Sequence, residues 1–228
     1  VYADSVDGGI EGLAVRDSRD PWIFDDEMAL MLLVEAGGDR ANPDDVVGSI
    51  VNWSNHPEAI GYNNQHISSD FPHYVREYVE HGLPAELNEE GEEVAPAVPG
   101  TGAPVLYISG SVGGLITPLS ISATTRAGVV IDQNGYAKAE AMGQRLAEFA
   151  LNGLQAAPRI EGDLSFGMRE FMTGVVNLQF KTGIFSLGLF DRSVYNWRNE
   201  DGFTLTDPPP QLRSAVARIQ IGGTTFFT

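Results

Sequence analysis

Residues 46–58, VVGSIVNWSNHPE, pass from an apolar run to polar side chains, and this transition decides the predicted fold. The run Val46–Val51 has the length and β-branched composition of a buried strand. Pro57 disfavours helical backbone at the preceding His56, so we expect the histidine in a loop at the end of the strand. Neutral imidazole is the commonest metal ligand in proteins. The stretch predicts the edge of an active site, with a hydrogen-bonded structural histidine as the alternative.

A helix is predicted over residues 70–82, after the loop that carries the histidine. Apolar and aromatic side chains recur there at helical spacing, Pro72 suits the first turn, and Gly82 suits the end of the helix. Ser69 and Asp70 come just before this pattern and are typical helix caps. The alternative role of these two residues is to support the histidine.

Two more buried strands and a second helix extend the predicted core. The runs Met28–Val34 and Val105–Ser109 have strand length and apolar composition. Residues 135–152 show an apolar stripe that includes Met142, opposite a polar face that includes Lys138. We expect this amphipathic helix to cover one face of the sheet.

The C-terminal third changes to a period of two, which is typical of strands. The alternation is clearest at residues 176–181 and 217–221. Together these patterns predict an α/β fold with a mixed sheet, packed helices and a strand-rich C-terminal third. We expect residues 1–228 to belong to a single domain.

Composition narrows the classes of partner and site. The formal net charge of -17 disfavours nucleic acid and anionic membrane surfaces, which would repel the chain, and favours neutral substrates or cations. Part of this charge lies in residues 86–104, which we expect to form a solvated insertion. Because the chain has no cysteine, a bound metal must use nitrogen or oxygen ligands.

The turn after the third predicted strand is rich in small residues, which let a ligand approach the backbone. Gly113 and Gly114 lie in it, but the turn lacks the lysine of a phosphate-binding loop and the spaced glycines of a dinucleotide site. Thr117 before Pro118 is typical of a turn residue. Its other role is to place a hydroxyl beside a metal, since threonine needs a base or a metal for activation.

These residues resemble the neutral/alkaline non-lysosomal ceramidase family. The matching features are Asn52–His56, Asn63 and Asn64, Ile67–Asp70, and Tyr74–Arg76. The turn Gly113–Pro118 looks like the Gly-Asp-Val-Ser-Pro-Asn turn of that family, with Thr117 in place of the serine. The chain departs from this pattern at Gly114, at one inserted residue and at Leu119.

The resemblance implies a zinc-dependent amidohydrolase that cleaves the N-acyl bond of ceramide or a related lipid amide. It assigns His56 as a zinc ligand and Thr117 as the candidate catalytic residue. Substrate-binding or supporting roles fall to Asn52, Asn63, Asn64, Ser69, Asp70, Gly113 and Gly114. An extracytoplasmic location and peripheral membrane contact are implied in the same way.

The remaining zinc ligands of the family, a histidine, a glutamate and a tyrosine, map onto no residue of this chain. We therefore expect the chain to be the central portion of a longer ceramidase-like protein, with the other segments as its partners. Two alternatives stay open at this stage. One is a noncatalytic binding or structural domain with the same fold, and the other is a metallohydrolase that acts on a different amide or ester.

Overall fold

The computed structural model describes residues 2–6, 15–21, 23, 25–88, 90–112, 116–177, 179, 193, 195 and 210–227. The chain divides into two compact units, Val1–Ile160 and Glu161–Thr228. The prediction of a single domain stays a prediction.

The described residues form two α-helices, α1 Phe71–His81 and α2 Tyr136–Ala156, and a 3-10 turn at Pro43–Asp45. The strands, in chain order, are β1 Tyr2–Val6, β2 Arg16–Asp17, β3 Met28–Val34, β4 Val46–Trp53, β5 Gly82–Leu83, β6 Glu86–Leu87, β7 Glu93–Ala95, β8 Val98–Pro99, β9 Val105–Ser109, β10 Ile116–Thr117, β11 Ala123–Thr124, β12 Val130–Ile131, β13 Leu164–Gly174, β14 Gln211–Ile221 and β15 Thr224–Phe227.

The principal sheet of the first unit has the order β1-β3-β4-β9. Strands β1, β3 and β4 pair antiparallel, whereas β4 and β9 pair parallel, which confirms the predicted mixed sheet. Val51 of β4 and Met28 of β3 are completely buried, and burial of such a side chain contributes about 1.5–3 kcal/mol. Because β4 and β9 run parallel, the loops that follow them leave the same edge of the sheet.

Helix α1 begins and ends close to the predicted positions. Phe71, Val75 and Val79 lie four residues apart, and all three are buried on one face. The side chain of Asp70 caps the N-terminus, and Gly82 ends the helix with a φ of 89° that a glycine adopts readily.

Helix α2 continues four residues beyond its predicted end, to Ala156, because Leu151 and Leu154 still face the core. It crosses α1 at Gly143, where a Cβ atom would lie 2.2 Å from the Cβ of Tyr74. The predicted location of Lys138 on a solvent-facing side is wrong, since its side chain is completely buried.

The acidic segment 86–104 is more ordered than the predicted solvated insertion. It contains the antiparallel pair β6–β7 and also β8, which pairs with β5. The buried guanidinium of Arg126 donates hydrogen bonds to the carbonyls of Pro84 and Pro96 and to Glu148. Glu90, Glu92 and Glu93 are exposed, whereas half-buried Glu86 accepts a hydrogen bond from the amide of Ala127 at 2.8 Å.

The second unit contains an antiparallel sheet of order β13-β14-β15. Strand β14 confirms the strand predicted at residues 217–221. In the predicted strand at 176–181, Val176, Asn177 and Gln179 are not in a strand, and residues 178, 180 and 181 lie outside the described residues. Across the described residues of both units, neither helix has the length and apolar character needed to span a membrane.

Candidate functional site

The loops that follow β4 and β9 are joined at the edge of the sheet. The amide of Gly110 donates to the carbonyl of Trp53 at 3.0 Å, and the amide of Ser111 donates to Ser54 Oγ at 2.8 Å. Ser54 Oγ in turn donates to a carboxylate oxygen of Asp25 at 3.1 Å. A Cβ atom at Gly110 would lie 2.4 Å from Ser54 Oγ, so this close approach requires glycine.

His56 lies in the loop after β4, as predicted, and its side chain is half-buried. Its backbone carbonyl accepts a hydrogen bond of 2.9 Å from the amide of Glu58, which folds the loop into a tight turn. Within the described part of the chain, no hydrogen bond or ion pair involves the imidazole. Its ring nitrogens are thus available to a ligand.

Thr117 is buried, and its hydroxyl is held from two sides. The hydroxyl donates to a carboxylate oxygen of Glu58 at 2.6 Å and accepts from the amide of Leu119 at 3.1 Å. The first bond connects strand β10 to the loop that carries His56, although its two partners lie 59 positions apart in the sequence. The structure therefore brings two of the predicted site segments together through Glu58.

Asp70 fixes the other end of the histidine loop. One carboxylate oxygen accepts from the amides of Phe71 and Ala59, at 2.7 and 3.0 Å, and the other accepts from the amide of Ile60 at 2.8 Å. The amide of Asp70 donates to Ser68 Oγ. Of the two predicted cap residues, Ser69 and Asp70, it is Asp70 that caps the helix. The same carboxylate holds the histidine loop at Ala59 and Ile60, directly after Glu58.

The other predicted residues surround this loop unevenly. Asn64 is half-buried, and its side-chain amide binds both backbone groups of His66. Asn52 lies near the end of β4, with its side-chain Oδ1 3.0 Å from the position that a Cβ at Gly110 would take. Asn63 and Ser69 are exposed to solvent. Gly113 and Gly114 lie outside the described residues.

A cavity of about 280 Å³ opens beside the histidine loop. Glu58 and Leu119, the two partners of the Thr117 hydroxyl, contribute to its wall, together with the loop residues Pro57, Ile60, Gly61, Tyr62, Asn64, His66, Ser68 and Asp70. None of these lining residues is lysine or arginine, so the wall is neutral to acidic.

Two residues near Thr117, Arg16 and Lys138, were not predicted from the sequence to lie at the site. The pairing of β2 with β10 places Arg16 directly opposite Thr117, and the buried Nε of Arg16 has no hydrogen-bond partner among the described residues. Lys138 of α2 donates from Nζ to the carbonyl of Pro118 at 2.8 Å. Strands as short as β2 leave no periodic signal, and a lysine in an amphipathic helix normally faces solvent.

The donor set can be tested against the zinc that the resemblance implies. His56 offers a half-buried imidazole of the type that zinc prefers. Over the ranges of the chain that the structure describes, no three histidine, aspartate or glutamate side chains are grouped closely enough to hold a metal ion. His56 fits one position of such a site, and the described residues do not supply the full set.

Comparison with known proteins gives matches only at the level of three-dimensional structure. No family model and no curated protein matches the chain. The neutral ceramidase from Pseudomonas aeruginosa superposes with a TM-score of 0.56 and 14% identity, covering 99% of this chain and 39% of that chain. A ceramidase complexed with C2 gives a TM-score of 0.54 and 10% identity, covering 99% and 40%.

The chain spans about two fifths of the length of both ceramidase structures. Its mixed sheet, two packed helices and strand-rich C-terminal unit all fall within the superposed part, because the match covers nearly every residue. The resemblance predicted from Asn52–His56 and Gly113–Pro118 is confirmed at the level of the fold: this chain has the fold of the corresponding part of a neutral ceramidase.

Proposed function

We propose that this chain is part of a zinc-dependent amidohydrolase that cleaves the N-acyl bond of ceramide or of a related lipid amide. The observation that carries the proposal is the 2.6 Å hydrogen bond from the Thr117 hydroxyl to Glu58, two residues beyond His56. It brings a hydroxyl, a carboxylate and an imidazole-bearing loop to one edge of a sheet, on a fold that is similar to neutral ceramidase. The name of that structure supports the choice of substrate class.

His56 would hold the zinc ion through its imidazole. When bound, zinc polarises an amide carbonyl or lowers the pKa of a water molecule. The chain keeps the histidine in place by anchoring its loop on both sides, at Ser54 through Ser111 and at Ala59 and Ile60 through Asp70. A ligand held by such a loop keeps a fixed direction relative to Thr117.

Thr117 is the group that we propose to act on the substrate. Its hydroxyl hydrogen points to Glu58, and the Leu119 amide occupies one oxygen lone pair. These two bonds fix the direction of the remaining lone pair. A fixed direction helps a hydroxyl oxygen to face the carbonyl carbon of a bound amide. Glu58 therefore orients the hydroxyl.

The cavity beside Glu58 is the proposed pocket for the polar end of the substrate. Its volume of about 280 Å³ lies at the lower limit of ordinary ligand pockets. It suits the hydroxylated or amine-bearing end of a lipid amide better than an entire lipid. The neutral to acidic wall agrees with this assignment, since it has no lysine or arginine to attract an anionic head group.

A pair of substitutions at Thr117 tests the proposal. Thr117→Val keeps the shape of the side chain but removes the hydroxyl, and we expect kcat for a short-chain fluorogenic ceramide to fall on the order of 10²-fold or more. Thr117→Ser keeps the hydroxyl and should stay within about tenfold of the native rate. Equal activity of the valine variant and the native protein would reject a role for this hydroxyl.

The carboxylate has its own matched pair. Glu58→Ala removes the acceptor and should lower kcat on the order of 10²-fold, because the hydroxyl loses its orientation. Glu58→Gln keeps an acceptor oxygen at the same position and should retain more activity than the alanine variant. If the native protein is folded and turns over no N-acyl amide, the noncatalytic ceramidase-like domain becomes the better account.

A further inference from the structure

Lys138 is an unusual residue for its location. The chain contains only two lysines, at positions 138 and 181, among 14 basic residues. The side chain of Lys138 is completely buried and has no ion-pair partner among the described residues, although burial of such an amine costs several kcal/mol. A buried lysine that persists in so acidic a chain needs a specific structural reason.

The contacts of the amine supply that reason. Lys138 Nζ donates to the carbonyl of Pro118 at 2.8 Å and to Asn134 Oδ1 at 2.9 Å. Asn134 lies in the segment that leads into α2, whereas Pro118 follows Thr117 directly. The amine thus connects the helix to the turn that holds the Thr117 hydroxyl.

The electrostatics of the surroundings agree with a positioning role. Burial lowers the pKa of Lys138, and the negative charges of Asp70 and Asp132 act in the opposite direction. Asp70 is the residue that clamps the histidine loop. The amine is therefore hydrogen-bonded to the turn that follows Thr117, and the negative charge of Asp70 favours its protonated form.

We propose that Lys138 is the positioning residue of the site. Its amine holds the turn Thr117–Leu119 against α2 through the Pro118 carbonyl, and this keeps the Thr117 hydroxyl between Glu58 and the Leu119 amide. The inference depends on the proposed function only for its effect on turnover. Its structural part is testable without any activity.

The decisive variant is Lys138→Met, which keeps the length and apolar stem of the side chain and removes the amine. Arg145→Met is the matched control, because Arg145 is a partly exposed cation of the same helix that pairs with Glu148. Hydrogen exchange of peptides that contain the Leu119 amide reports the turn. We expect exchange of this amide to accelerate about tenfold or more in Lys138→Met, with α2 unchanged, and to stay at the native rate in Arg145→Met.

Native exchange of the Leu119 amide in folded Lys138→Met would overturn the proposal. Uniformly faster exchange throughout α2 would also overturn it, because it would show a role in general stability only. Where the native protein hydrolyses an N-acyl amide, kcat of Lys138→Met should fall at least tenfold with KM nearly unchanged. Absence of turnover in the native protein would count against the proposed function, and the exchange result would still decide the role of Lys138.

A second measurement needs no change at Lys138. Labelling lysine side chains with ¹⁵N gives two amine signals in this chain, and we expect that of Lys138 to be protected from exchange with solvent. Thr117→Val should displace this signal, since both residues contact the same turn, and Arg145→Met should not. An unaffected Lys138 signal in Thr117→Val would contradict the connection.

Discussion

Asp70 shows how one side chain can fix a loop at the scale of a single residue. Its two carboxylate oxygens receive three backbone amides, from Ala59, Ile60 and Phe71. The residue itself has a φ of 55°, which is unfavourable for an aspartate and persists because these bonds outweigh it. The capping interaction and the loop clamp are therefore one structural feature, and helix α1 serves as the support of the histidine loop.

Replacement of Asp70 should destabilise the fold and loosen the loop. Asp70→Ala removes the helix cap and leaves two further buried amides without an acceptor, so we expect a loss of about 2–4 kcal/mol in the free energy of unfolding. Asp70→Asn keeps one carbonyl oxygen and should lose less. Urea denaturation measures both values, and a change below about 0.5 kcal/mol in the alanine variant would show that the clamp contributes little.

Asp17 predicts a dependence of stability on pH. The side-chain hydrogen bonds from Arg19 lower the pKa of Asp17, and the backbone amides of Arg19 and Ile23 act in the same direction. An acid whose pKa is lower in the folded protein stabilises the fold above its unfolded pKa, and this contribution is lost as the pH falls through the folded value.

We therefore expect Asp17→Asn to be less stable than the native protein at pH 7, and the difference to shrink below about pH 4. Denaturation of both proteins by urea at pH 7, 5 and 3 measures the trend. A difference that is the same at all three values would mean that the charge of Asp17 does not stabilise the fold.

Helix packing brings the candidate site together at the scale of elements. Helix α2 contacts α1 closely at Gly143, and five residues earlier it carries Lys138 to the Pro118 carbonyl. The parallel strands β4 and β9 supply the two loops, which leave the same edge of the sheet. Small changes in the distance between the helices should therefore affect the site as well as the core.

Gly143→Ala tests this packing. The added Cβ would lie 2.2 Å from the Cβ of Tyr74, so the helices must move apart. We expect a loss of about 1–3 kcal/mol in stability, despite the better helix propensity of alanine. Asn152→Ala, at an exposed position of the same helix, is the control and should be neutral or slightly stabilising. Equal stability of the two variants would show that the two helices accommodate the added methyl group without cost.

Sequence patterns predicted those elements that carry a local signal, which is either a compact apolar run or a helical spacing of apolar residues. Strands β3, β4 and β9 and helices α1 and α2 carry such patterns, and their predicted locations are confirmed. The predicted burial of β9 is wrong, because its residues are half-buried or exposed. The two-residue strands β2 and β10 depend on pairing between distant segments, so no local pattern indicates them. The burial of Lys138 could not be predicted for the same reason, because it depends on a contact with the distant Pro118 carbonyl. For the candidate site, the sequence indicated the His56 loop and Thr117 but not the contacts that join them.

At the scale of the whole molecule, charge and fold support the same account. The net charge of -17 creates a negative potential that concentrates cations near the surface, and it disfavours anionic partners. The fold is that of two fifths of a neutral ceramidase. We propose that His56, at the sheet edge, is one ligand of a zinc site that the described residues do not complete.

The zinc content of the native protein tests the central claim most directly. Elemental mass spectrometry, with all associated polypeptide retained, should give about one zinc ion per chain, and His56→Ala should lose it while keeping its secondary structure. Absence of zinc after the metal is resupplied, or full zinc content in folded His56→Ala, would contradict the assignment of His56 as a ligand.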